Sequence, residues 1–106
     1  MLFRSLLAVA NPLPSATSVV VSHGGRIVES GEVLLVAFSA ATQAVVAAEA
    51  LVPASASRGA VHAGDCRVVD GRLEGQAVDD VRHLLASTPP ATVAKSPIVA
   101  AIVSAS

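Results

Sequence analysis

At 106 residues, with seven basic and eight acidic side chains for a net charge of −1, the chain has the size of one domain and no electrostatic footprint for nucleic acid. Its 53% hydrophobic content rests on 21 Ala and 18 Val against two Phe, with no Trp or Tyr, which removes the stacking platforms of single-strand binders and requires a core of small, often β-branched side chains. The single cysteine, Cys66, excludes an intrachain disulfide and a cysteine-based zinc cage.

Leu2 to Ala10 is a nearly continuous apolar run closed by Asn11-Pro12-Leu13-Pro14, which predicts a buried first strand and a turn. The uncharged run from Ser5 to Ser22 contains both prolines, and no apolar segment reaches the roughly 18 residues of a membrane span. Leu6 to Ala10 also falls short of the roughly 7 to 15 residues of a secretory core, so a cytoplasmic protein is expected. Ser15 is placed to cap a short helix carrying Val19, Val20 and His23, ended by Gly24-Gly25.

Two β-rich runs follow, Arg26 to Glu29 and Val33 to Phe38. They flank a Ser30-Gly31-Glu32 turn in which Gly31 is expected to take a positive φ, and Glu32 sits at the tip. Ser39 then caps a predicted helix over Ala40 to Leu51, stopped by Pro53 and a small-residue loop, Ala54 to Ser57. Arg58 to Val69 reads as a strand running into Asp70-Gly71, a favoured reversal.

Gly75 precedes a third helix, Gln76 to Ser87, with Val78, Val81, Leu84 and Leu85 on one face, broken by Thr88-Pro89-Pro90. Ala91 to Lys95 predicts a short strand, and Pro97 opens a final helix. The order predicts an α+β fold, a ferredoxin-like βαββαβ core with a C-terminal strand and helix extension, in one domain over 1–106.

Three segments resemble the class III nucleotidyl cyclase homology domain. They are Ser22-His23-Gly24-Gly25-Arg26-Ile27-Val28 into the Gly31-Glu32 hairpin and Phe38, Val61-His62-Ala63-Gly64-Asp65 through Asp70-Gly71 to Gly75-Gln76-Ala77-Val78, and Thr92 to Ile102. The resemblance implies a reaction that closes a nucleoside triphosphate onto its own ribose at two metal ions. One Asp would end the first strand and a second would stand at the hairpin turn. Here Val9 or Ala10 falls where the first belongs, and Glu32 takes the second position as the one candidate metal ligand.

The hairpin looks one residue shorter than the family's, which puts Val28 or Glu29 near the base-reading position. The helix after Gly75 would carry an Asn for the ribose and, four residues on, an Arg for the transition-state charge. Asp79 and His83 occupy those positions, a carboxylate facing a triphosphate and a side chain largely neutral at pH 7. Losing one oriented donor typically costs about 100- to 1000-fold in rate. Cyclase sites form between two protomers, and this chain lacks an intact set of either kind.

Other clusters are read as structural. His23, His62 and His83 have no close ligand spacing, and Asp65, Asp79 and Asp80 sit where strand-end and first-turn carboxylates are common. On an extended strand His62 and Cys66 share a face about 13 Å apart, too far for a thiol–imidazole pair. Gly24-Gly25 follows a helix instead of opening one, so it serves as a connector and not a phosphate loop.

The expectation is a catalytically silent, cyclase-like domain that acts as a homodimer or pairs with another cyclase-like protein. No cofactor is expected, with Mg or Mn required if turnover remains. The alternatives are a divergent adenylate or guanylate cyclase and a nucleotide-binding module without turnover. The charged fraction of 14% and mean hydropathy of +0.67 suit a chain with part of its apolar surface covered by another protomer, and six Arg to one Lys match the codon bias of a GC-rich bacterium.

Overall fold

Alternation along the first strand decides the layering. In the computed structural model, which describes residues 2–52 and 57–105, Leu2–Ala10 forms β1 at the middle of a mixed sheet. Its Leu6, Ala8 and Ala10 point to one face and Leu7 and Val9 to the other, each into a separate apolar cluster.

β1 pairs antiparallel on one side with β3 (Val33–Phe38) and on the other with β4 (Arg58–Val69). β2 (Arg26–Glu29) lies outside β3, giving the order β2-β3-β1-β4. Helices α1 (Ala16–Ser22) and α2 (Ala41–Leu51) make the two crossovers. This is the expected ferredoxin-like core. The extension is also as expected: β6 (Val93–Lys95) pairs parallel with β4, and α4 (Pro97–Ser104) follows it.

The larger cluster joins Leu7, Val9, Val36 and Phe38 to α1, α2 and α4 through Val20, Ala44, Ala48 and Val99. On the opposite face, α3 (Gln76–Ala86) lays Ala77, Val78, Val81 and Leu85 over Leu6, Ala8, Leu35 and Ala60. Small side chains bring α3 close to the sheet, and a Cβ on Gly64 would stand 3.0 Å from that of Ala77.

The exit from α1 needs two glycines for different reasons. Gly24, at φ +87°, donates to Val21 O while Gly25 donates to Val20 O at 2.8 Å, closing the helix in a Schellman arrangement. Gly25 is required by space, because a Cβ there would meet Val36 Cγ1 at 2.6 Å and Phe38 Cζ at 2.8 Å.

Several local expectations are corrected. Gly31 does not take a positive φ, since a bulge between Ile27 and Glu29 absorbs the irregularity of the hairpin. Ser15 stands at the α1 N-cap without a side-chain cap bond, and the α2 N-cap is Ala40, with Ser39 Oγ 3.5 Å from Gln43 Oε1. Ala91, at φ +57°, donates its N–H to Ser57 O, so β6 begins two residues later than predicted. α3 stops at Ala86, and Thr88 Oγ1 returns to Leu84 O at 2.7 Å.

A strand not predicted, β5 (Arg72–Glu74), returns along β4. Asp70 and Gly71 both have positive φ between the paired Val69 and Arg72, a two-residue reversal. The helix stop at Pro53 and most of the loop over 54–57 lie outside the described residues. Among the described residues no helix is long and apolar enough to cross a membrane.

Candidate functional site

The end of β1 and the β2–β3 tip are tied by backbone. Asn11, at φ +52°, donates its N–H to Glu32 O at 3.0 Å, and Ser57 Oγ donates to Asn11 O at 2.6 Å. This holds Glu32 beside the strand end, with its side chain exposed. Val9 and Ala10, 1% and 6% exposed, point to opposite faces of the sheet. Among the described residues no three His, Cys, Asp or Glu side chains converge as a metal site.

Asp79 and His83 lie together on the exposed side of α3, where His83 Nδ1–H donates to Asp79 O at 3.2 Å. Asp79 is in the first turn, where the helix dipole favours a carboxylate. It lines a cleft of about 470 Å³ formed by β2, β5 and the start of α3. Asp79 also lines a second, shallower cleft with Arg82 and His83, and Glu32 lines neither.

The first of these clefts gathers arginines that sequence reading missed. Arg82 Nη2 donates to Glu29 Oε2 at 2.6 Å, and Arg72 Nη2 stands 4.0 Å from Glu29 Oε1. Arg67, Glu74 and Asp79 complete the charged lining beside the neutral Gln76, so three guanidinium groups face three carboxylates. Half of the chain's six arginines therefore meet in one cleft, Arg67 from β4, Arg82 from α3 and Arg72 from the unpredicted β5. Glu29, read as a neighbour of the base-reading position, is occupied by these ion pairs.

Two of the histidines have local partners. His62 Nε2 is 3.5 Å from Asp80 Oδ2, and Gln76 Nε2 donates to Asp80 Oδ1 at 2.8 Å, pinning α3 to β4. His23 Nδ1–H donates to Val19 O at the end of α1. Asp65 is exposed on β4, opposite Phe3. Cys66 is buried under α3, with its thiol 3.9 Å from Gly64 O. Burial pushes its pKa up, the nearby Arg4 opposing and Asp65 adding to the rise.

A solved structure, the adenylate/guanylate cyclase/hydrolase from Silicibacter pomeroyi, matches 98% of this chain and 80% of its own at a TM-score of 0.83 and 20% identity. The fold is cyclase-like. No family model matches the chain, and no curated protein matches its sequence. On this cyclase-like scaffold, the β1 end and the β2–β3 tip stand side by side, while Asp79 and His83 face outward from α3.

Proposed function

We propose that the chain is a catalytically silent cyclase-like domain, spanning residues 1–106, that works in the cytoplasm as a homodimer or as a partner of another cyclase-like protein. The observation that supports this reading is the end of β1. The two positions available for a metal-binding Asp there are the apolar, buried Val9 and Ala10, so the end of β1 offers Glu32 no carboxylate with which to share a pair of hard cations. Asp79 and His83 in place of an amide and a guanidinium point the same way.

Incubation with ATP or GTP and manganese is expected to give no cyclic nucleotide above a protein-free control. A rate proportional to protein concentration overturns the reading. If such a rate were found, Glu32→Ala would separate a divergent cyclase from a contaminant, because a metal ligand cannot be removed without loss of turnover.

A second reading, nucleotide binding without turnover, is favoured by the arginine-lined cleft. At about 470 Å³ it falls within the roughly 300–1,000 Å³ of small-molecule sites. Calorimetry with ATP, GTP and their cyclic products tests it, and absence of heat for all four removes it.

A further inference from the structure

α4 (Pro97–Ser104) is apolar on every side, the pattern of a helix enclosed by other elements, yet it lies at the outside of the molecule. Val99 is its one buried side chain, whereas Ile98 and Ile102, one turn apart, are 40% and 37% exposed. The surface continues over α2, which packs against α4, and α1, which packs against α2, with Val46 and Val21 exposed on them. Glu49 is the one charged side chain in these three helices, while α3 on the opposite face bears Asp79, Asp80 and Arg82. At eight residues α4 is too short to span a bilayer, so a protein surface is the cover it suits.

The layer carries its own charge complement. β3 and β4 each pair antiparallel with β1, and β6 pairs parallel with β4, so these three strands run the same way. α2 returns from the end of β3 towards the start of β4, and α4 turns back after β6 to lay Val99 and Val103 on the same apolar cluster, so both helices run against those strands. Lys95, exposed, stands where α4 and α2 begin, and Glu49, exposed, stands in the last turn of α2. Neither meets an opposite charge among the described residues. An apolar surface with an unpaired cation at one end and an unpaired carboxylate at the other is complementary to a copy of itself turned end for end.

We propose that the outer face of α2 and α4 is an interface with a second copy of this chain, in which the helices of the two copies run antiparallel, Val46, Ile98 and Ile102 are covered, and Glu49 meets the partner's Lys95. The inference rests on the homodimer reading above and names its surface. A two-fold axis lying in the contact forms the Glu49–Lys95 pair twice, as isologous pairing requires. Apolar burial supplies the attraction, the uncharged helices bring no like charges together, and the two ion pairs fix the direction of packing.

Light scattering and sedimentation equilibrium of the whole chain test the surface. The unaltered protein is expected to be a dimer, and Val46→Lys and Ile102→Lys are expected to be monomers with the far-ultraviolet circular dichroism of the parent. Glu49→Lys and Lys95→Glu alter exposed side chains that form no ion pair within the single chain, so they decide the question without risk to the fold. Each should raise the dimer dissociation constant about tenfold or more, and the combined charge swap should restore it. A wild-type dimer untouched by the two Lys substitutions and by both charge reversals overturns this surface and leaves the homodimer reading standing. A monomeric wild-type protein overturns both.

Discussion

Arg82 of α3 and Glu29 of β2 form a 2.6 Å ion pair that bridges the outer strand to the helix on the far side of the arginine-rich cleft. Both side chains are partly exposed, so solvent screens them and the contribution to stability is small, about 0.5 kcal/mol. A double-mutant cycle with Glu29→Gln and Arg82→Gln in urea should return a coupling of about that size, falling as salt is raised. A coupling of about 2 kcal/mol or more would mean that the pair is shielded from water in solution.

The two glycines of the β2–β3 region should respond in opposite ways. Gly25→Ala puts a methyl within 2.8 Å of Val36 Cγ1, Phe38 Cζ and Val20 O, against buried side chains and backbone. A loss of about 3 kcal/mol is expected in denaturant unfolding. Gly31→Ala meets nothing within 4 Å and needs no left-handed backbone. It should lie within about 0.5 kcal/mol of the parent, on the stabilising side.

Cys66 should make stability fall in alkali. Its folded pKa is raised, chiefly by burial, so as pH climbs through the ordinary thiol range near about 8.5 the unfolded chain releases a proton that the folded chain still holds. The unfolded state then binds fewer protons, and the unfolding free energy decreases with pH. Urea midpoints measured from about pH 7 to 10 should decline in the parent and decline less in Cys66→Ala.

Restoring the helix pair alone should not create a cyclase. Asp79→Asn with His83→Arg returns the residue types that the resemblance implies on α3, yet β1 still ends in Val9-Ala10. Cyclic nucleotide output with manganese is expected to stay at the protein-free level. Both positions are exposed, so the variant should fold like the parent, and any protein-dependent output would show that the scaffold binds metal by another route.

Most of the fold was legible because the sequence punctuates itself. Pro12 and Pro14 close β1, Gly24-Gly25 close α1, and Pro97 opens α4, each for a local steric reason. β5 was missed because three residues with alternating charge, Arg72-Leu73-Glu74, carry no strand period long enough to read, although Asp70-Gly71 announced the reversal. The positions of Asp79, His83 and Glu32 in the order of elements were legible too. The Glu29, Arg72 and Arg82 cluster was not, because its members lie on three elements and meet only through tertiary packing.

Leu6 and Leu7 are neighbours on β1, both wholly buried, and belong to different clusters. The sheet therefore acts as a partition wall, and a void opened on one side has no route by which to draw in side chains from the other. The compartment under α3 rests on one helix, whereas the opposite one is roofed by three. Damage to the thinner roof would loosen α3, and with it the outward row of Asp79 and His83, while the main body of the protein stayed shut.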